Sequence, residues 1–249
     1  MSPKKKQRRD TAPSRRKLQL VSDPKMPFGY VEAYKSLRTN LKFINAASNA
    51  GSFVVTSALG MESKSNVAVN LAVTLAEENK RFIVVDGDLR KPAVQRMLRL
   101  KTEGRGFSAV LTGELAFAEA VVHVEHLGID VLPAGTLPPN PTELLSQERA
   151  RALLDFLREY YDYVIVDAPP VSVVTDAAII GRMVDGALLV VRSDYAPVEM
   201  VKLAQKRLED VQVPILGVIL TRFEPKKSGR QSGYYYSYKG YYEYDRSGE

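Results

Sequence analysis

Phe82-Ile83-Val84-Val85-Asp86 and Tyr163-Val164-Ile165-Val166-Asp167 decide the fold. Each is a continuous apolar run closed by an aspartate, without the polar alternation of a strand that has one wet face. Such runs suit strands covered on both faces, as in a parallel sheet with helices on either side. Outward from these two, Phe53-Val54-Val55-Thr56, Ile129-Asp130-Val131-Leu132, Ala187-Leu188-Leu189-Val190-Val191 and the run from Ile215 to Leu220 recur at intervals that fit crossover helices. The pattern predicts an α/β fold, a doubly wound and mostly parallel sheet flanked by helices. The clearest helix spans Thr142 to Tyr160, with Thr142 as N-cap after Pro138-Pro139-Asn140-Pro141 and Leu144, Leu145, Leu153, Leu154 and Leu157 on a shared face. Gly29 to Asn45 forms a second helical segment ahead of the first core strand. There Glu32, Lys35 and Arg38 are spaced by three along one side, a spacing equally suited to a solvated face.

With 249 residues and 45% hydrophobic content, the chain can bury the core of one large domain. A charged fraction of 26% and the lack of any run of 18 apolar residues or signal-peptide core predict a cytoplasmic chain without a membrane span. Zero cysteines exclude disulfides and thiolate metal sites, and two histidines, His123 and His126, are too few for a histidine-rich centre. Chemistry must therefore rest on carboxylates, lysine, hydroxyls and backbone.

The net charge of +6 is unevenly placed, since residues 1–25 hold nine Lys/Arg against two Asp/Glu and the remaining 224 residues sum to −1. Lys4-Lys5-Lys6, Arg8-Arg9 and Arg15-Arg16-Lys17 stand among Pro and Ser with no apolar periodicity, so residues 1–28 are read as a disordered basic tail. Such a tail is either simply solvated or drawn to an anionic surface, where each basic side chain adds roughly 1 kcal/mol. No base-reading motif accompanies it, and no specific nucleic acid is expected. Composition shifts again at Glu224-Pro225-Lys226-Lys227-Ser228-Gly229. From Tyr234 to Tyr244 seven of eleven residues are tyrosine: Tyr234, Tyr235, Tyr236, Tyr238, Tyr241, Tyr242 and Tyr244. Without aliphatic partners to bury these rings, 225–249 reads as a flexible tail whose phenols can stack, bind metal weakly or accept phosphate.

Three motifs directly follow predicted strands, where open parallel sheets bind ligands. The first, Thr56-Ser57-Ala58-Leu59-Gly60-Met61-Glu62-Ser63-Lys64-Ser65-Asn66, resembles a Walker A phosphate loop, whose backbone N–H groups and helix N-terminus cradle phosphate. In that pattern Lys64 serves the β and γ phosphates and Ser65 the magnesium, with Gly60, Met61, Glu62, Ser63 and Asn66 completing the cradle. Ala58 and Ser63 stand where the pattern has glycine, and an ordinary strand-turn-helix corner would also account for the loop. The second motif, Asp86-Gly87-Asp88-Leu89-Arg90-Lys91-Pro92, pairs two strand-end carboxylates with two cations. The third, Asp167-Ala168-Pro169-Pro170, has the Walker B form, in which the aspartate binds magnesium directly or through water.

In these motifs, in Pro138-Pro139-Asn140-Pro141-Thr142-Glu143-Leu144-Leu145 and in the tyrosine cluster, the sequence resembles the bacterial tyrosine kinases, the BY-kinases of capsule and exopolysaccharide systems, of the kind made as a separate cytoplasmic chain. The similarity covers roughly residues 29–245. Asp86 to Pro92 is similar to that family's Walker A′ motif, and Glu32, Lys35 and Arg38 to its E-x-x-R-x-x-R subunit-contact motif with lysine for the first arginine. The resemblance implies a P-loop NTPase fold of the MinD/ParA kind, with residues 29–224 as kinase domain. It also implies an autokinase that transfers phosphate from ATP, with Mg2+, to a neighbour's tyrosine tail in a ring-like homo-oligomer. By motif, Lys64 would hold the phosphates, Ser65 and Asp167 the magnesium, Asp86 would be the base and Asp88 would support the metal or the nucleophile. Further implied are activation by a membrane adaptor of polysaccharide chain-length control (a co-polymerase), a cognate tyrosine phosphatase, and peripheral recruitment to the inner face of the membrane.

Where the family reads P-G-E-G-K-[ST], this chain has Gly60-Met61-Glu62-Ser63-Lys64-Ser65. That leaves open a kinase with weaker ATP binding, one whose loop a partner orders, or a binding-only scaffold phosphorylated by another enzyme. A ParA/MinD-like positioning ATPase would share the fold, but its signature lysine would stand at Leu59 and it has no use for seven terminal tyrosines.

Overall fold

A computed structural model describes residues 19–48, 51–76 and 80–223. The basic run of residues 4–17 and the tyrosine cluster of 234–244 lie outside the described residues. Seven strands form one sheet: β1 (Ser52–Ser57), β2 (Phe82–Asp86), β3 (Val122–Val124), β4 (Ile129–Leu132), β5 (Tyr163–Asp167), β6 (Gly186–Arg192) and β7 (Ile215–Thr221). Their order is β3-β4-β2-β5-β1-β6-β7. Every pairing is parallel except β3 with β4. The helices are α1 (Phe28–Ser48), α2 (Lys64–Ala76), α3 (Val94–Leu98), α4 (Phe107–Thr112), α5 (Phe117–Ala120), α6 (Pro141–Leu145), α7 (Glu148–Tyr160), α8 (Asp176–Gly181) and α9 (Val198–Glu209).

The continuous apolar runs are explained by two cores, one on each face. Val54, Ile83, Val85, Val164 and Val166 pack with Leu145 of α6, Leu154 and Leu157 of α7, Ile180 of α8 and Leu208 of α9. Their chain neighbours Phe53, Val55, Val84 and Ile165 turn to the other face, against Tyr34 and Leu41 of α1 and Val67, Leu71 and Leu75 of α2. β1, β2 and β5 are buried along their whole length. Helix α2 is buried on all sides because α1 lies over it as an outer layer. The disordered tail expected over residues 1–28 does not extend this far: residues 19–21 join the layer, where Val21 is buried and its N–H donates to Asn70 Oδ1 on α2 at 2.6 Å.

Two elements differ from the pattern reading. The expected helix from Thr142 to Tyr160 is two helices, α6 and α7, separated at Ser146-Gln147. Pro141 opens α6 with Asn140 at the cap position, Gln147 is extended ahead of α7, and the Ser146 hydroxyl donates to the Thr142 carbonyl at 2.8 Å. The leucines share a face because both helices feed the same core. Strand β3 was not anticipated, since three residues carry too little pattern to register.

Candidate active site

Because β2, β5 and β1 are adjacent in the sheet, their carboxyl ends bring the three motifs together. Asp86 and Asp167 are direct partners across the β2/β5 ladder. Gly87, next in chain, passes so close to β5 that a Cβ there would lie 2.9 Å from Val166 Cγ1 and 3.1 Å from the Asp167 carbonyl oxygen. Only glycine allows that approach.

Lys64 is the first residue of α2. Its Nζ lies 3.1 Å from Asp88 Oδ2, 3.3 Å from Asp167 Oδ1 and 3.5 Å from Ser65 Oγ. Two further carboxylate oxygens are held from behind by backbone N–H groups. Asp88 Oδ1 accepts the backbone N–H of Lys91 at 2.9 Å and of Arg90 at 3.3 Å. Asp86 Oδ2 accepts those of Ala93 and Val94, at the start of α3, at 3.1 and 3.0 Å. Asp86 Oδ1 and Asp167 Oδ2 are buried without a hydrogen-bond partner among the described residues.

Burial first, and then the charge of Asp167, push the Asp86 carboxyl up to about 7, with Lys64 pulling the other way. Burial likewise raises Asp167, against the opposing pull of Lys64 and Ser65. For Lys64 burial disfavours the ammonium, but Asp167 and Asp88 outweigh it and its pKa is raised. The site is thus one buried cation among three carboxylates, with negative charge to spare.

The loop ahead of Lys64 has an unusual backbone. Met61 has φ 67° and Ser63 has φ 74°, both left-handed. Glu62 between them is fully buried: Oε2 accepts the Leu59 N–H at 2.6 Å and Oε1 the Arg192 N–H at 3.0 Å. Its carbonyl accepts the Thr221 hydroxyl at 2.9 Å, so one residue fastens the loop to the ends of β6 and β7. Met61 is exposed, Gly60 has open space around its Cα, and the carboxylate of Glu62 faces the protein interior. Leu59, where a ParA-type signature lysine would stand, gives its N–H to that carboxylate.

Asn66 is turned toward α1. Its Oδ1 lies 3.1 Å from the Tyr30 hydroxyl and accepts Asn70 Nδ2 at the same distance. On α1, Lys35 pairs with Glu32 at 2.8 Å, whereas Arg38 donates to the Thr74 carbonyl in the last turn of α2 at 3.0 Å. Arg192, Thr221, Asp176 and Asn70 carry no motif, and no signal in the sequence singled them out as supports of the site.

A cation held here would meet oxygen donors: the Ser65 hydroxyl, Asp167 with its unsatisfied Oδ2, and Asp88. Among the described residues no larger group of His, Cys, Asp or Glu converges. One or two carboxylates completed by substrate phosphates is the coordination that magnesium favours, so the donor set fits.

A phosphate loop opening a buried helix, with aspartates at the ends of the two neighbouring parallel strands, defines a P-loop NTPase of the ParA/MinD type. The family model described as ParA, NUBPL iron-transfer P-loop NTPase, matches residues 50–242. Within that class the chain belongs to the bacterial tyrosine kinase family. It is 36% identical over 205 residues, 82% of this chain and 85% of the other, to the tyrosine-protein kinase YwqD of Bacillus subtilis (strain 168). The crystal structure of the chimerical protein CapA2B2 superposes with a TM-score of 0.76 at 33% identity, covering 82% of this chain and 88% of that one. The septum site-determining protein MinD of Pyrococcus horikoshii OT3, solved with Mg-ADP, shares the fold at 21% identity and a TM-score of 0.59, covering 72% and 73%. No helix among the described residues is long and apolar enough to cross a membrane.

Proposed function

We propose that the protein is an ATP-dependent tyrosine autokinase that phosphorylates its own C-terminal cluster, Tyr234 to Tyr244, in trans and thereby regulates capsule or exopolysaccharide synthesis and export. The observation that carries this reading is the convergence of Ser65, Asp88 and Asp167 on Lys64 at the head of α2, with Asp86 directly beside Asp167. Lys64 would hold the β and γ phosphates, and backbone N–H groups of residues 60–66 would cradle them. Magnesium, held by Ser65 and Asp167 with support from Asp88, would offset charge on the phosphates. Asp86 would take the phenol proton, and a carboxyl near 7 is well matched to that task. A kinase domain ending at residue 224 and a tail of 225–249 follow from the same reading, with residues 19–28 belonging to the domain rather than to the basic tail, since Gln19 and Val21 are tied to Asn70 of α2. So do a ring-like oligomer with Glu32, Lys35 and Arg38 at its contacts, a membrane adaptor as activator, a cognate phosphatase, and a cytoplasmic protein recruited to the inner membrane face, aided by its basic tail.

A second reading, a nucleotide-binding scaffold with little or no transfer activity, draws on the left-handed Met61 and Ser63. Incubation with MgATP followed by phosphotyrosine mapping by mass spectrometry separates the two, with Lys64→Met and Asp86→Ala beside the unaltered chain and an adaptor-derived peptide as additive. Phosphate on Tyr234 to Tyr244 that vanishes in both variants supports the autokinase. A folded chain that acquires none under any condition is the scaffold.

A further inference from the structure

We infer that Arg90, Thr142 and Asp176 form a clamp whose role is to place the Asp88 carboxylate at the nucleotide site. This rests on the proposed reading of that site as one for MgATP. Asp176, the first residue of α8, is fully buried. Its Oδ2 accepts Arg90 Nε at 2.7 Å, and its Oδ1 accepts Arg90 Nη2 at 3.1 Å and the Thr142 hydroxyl at 2.7 Å. Arg90 Nη2 also donates to Thr142 Oγ1 at 2.7 Å. The hydroxyl gives its proton to the carboxylate and accepts one from the guanidinium, so the three side chains close a ring of hydrogen bonds in which both Asp176 oxygens are satisfied.

The ring joins three separate parts of the chain. Asp176 and Thr142 sit on α8 and α6, helices anchored in the core by Ala177, Ile180, Leu144 and Leu145. Arg90 lies on the loop after β2, two residues beyond Asp88. That loop hydrogen-bonds Asp88 Oδ1 from Arg90 N and Lys91 N and leaves Oδ2 for Lys64 at 3.1 Å. Fixing the Arg90 side chain therefore fixes the turn that aims Asp88. An exposed ion pair would contribute little of this kind, but here one partner is fully buried and the fork is bidentate, the geometry in which arginine is not replaced by lysine. Arg90, Thr142 and Asp176 make none of the contacts around Lys64, so they act as positioning residues.

The test is isothermal titration of ATP with excess Mg2+ and, separately, with EDTA, together with urea denaturation, on Arg90→Gln, Arg90→Lys, Thr142→Val and Thr142→Ser. Arg90→Gln is expected to lower ATP affinity about tenfold in Mg2+, as for loss of a partner behind a metal ligand. In EDTA its loss is expected to be clearly smaller, because Lys64 keeps Asp167 at 3.3 Å as a second partner when Asp88 shifts, whereas the cation loses a ligand. Arg90→Lys recovers part of the loss, Thr142→Val loses a smaller part, and Thr142→Ser loses none. Thr142→Val keeps the measurement decisive if the arginine variants fold poorly. Equal losses with and without Mg2+, or losses that follow unfolding, make the ring merely structural and overturn the clamp. An unaltered chain that binds ATP with Mg2+ while Arg90→Gln and Thr142→Val bind as tightly overturns the clamp alone. Absence of Mg2+-stimulated binding in the unaltered chain overturns the nucleotide reading and the clamp with it.

Discussion

Met61 and Ser63 each carry a Cβ in the left-handed region, at φ 67° and 74°. The conformation costs an L-residue roughly 1–2 kcal/mol, and the anchorage of Glu62 to Leu59, Arg192 and Thr221 offsets that strain. Ser63→Gly relieves the strain but adds unfolded-chain entropy of about 0.5–1 kcal/mol, leaving a net gain of up to about 1 kcal/mol in urea denaturation. Gly60→Ala, at a position with open space and no left-handed backbone, is expected to be neutral or slightly stabilising. A clear loss of stability in Ser63→Gly would show that the serine side chain holds the loop in another way. Asp86 makes the second prediction at this scale. Its carboxyl stands at about 7 in the fold against 3.8 in the unfolded chain, so between those values the folded state keeps a proton that the unfolded state has lost. The associated stability is present in full below about pH 4, is lost as pH rises toward 7 and is level above that. Asp167 is raised as well and acts in the same direction. In EDTA, denaturation midpoints should fall between pH 5 and 7, and Asp86→Asn, which still accepts from Ala93 and Val94, should flatten the fall. An equally steep profile in Asp86→Asn would assign the slope to other groups.

Helix α2 connects the site to the outer layer. Asn70, fully buried in its middle, donates from Nδ2 to the Gln19 carbonyl at 2.7 Å and accepts from Val21 N at 2.6 Å, while Tyr30 of α1 reaches Gln19 and Asn66. Asn70→Ala leaves the Val21 N–H buried and unmatched, at a cost of about 1–3 kcal/mol. Hydrogen exchange is expected to speed up at residues 19–21 and along α1 while β1, β2 and β5 stay protected. Uniform acceleration across the sheet would instead mean that Asn70 supports the global fold. This layer also marks the limit of what sequence reveals. Six of the seven strands were legible from their apolar runs, which in β1, β2 and β5 reflect burial on both faces while the edge strand β7 keeps its run only partly buried, and the ligand-facing loops were legible because aspartates end two of those runs. β3 and the α6/α7 break were not, since one is too short to show a period and the leucine spacing runs unbroken across the other. Asn70, Asp176 and the inward carboxylate of Glu62 were illegible for a different reason. Their partners lie far off in the chain or in a loop that reads as solvated, and hydrogen bonding of that kind has no periodicity.

At the scale of the whole molecule, β7 ends against the phosphate loop, with the Thr221 hydroxyl 2.9 Å from the Glu62 carbonyl, so the chain leaves the sheet for its tyrosine tail at the edge of the proposed site. That placement alone does not separate phosphorylation of the chain's own tail from that of a neighbour. Mixing the Lys64→Met chain, tail intact, with an active chain truncated after residue 224 does so: phosphate on the Lys64→Met tail means transfer between molecules, and its absence means transfer within one. The charge consequence then follows for any ring. Residues 225–249 carry five Lys/Arg against three Asp/Glu. Three phosphotyrosines add roughly −5 and reverse that sign. Tails held at successive sites would then repel one another and the carboxylates Asp86, Asp88 and Asp167. Repulsion of this kind is felt over about 8 Å at physiological salt and weakens as salt is raised. Light scattering of the unphosphorylated chain is therefore expected to give an oligomer mass that falls after phosphorylation at low salt and falls less at high salt. Equal masses before and after, at low salt and with phosphate verified on the tail, would show that tail charge does not govern assembly.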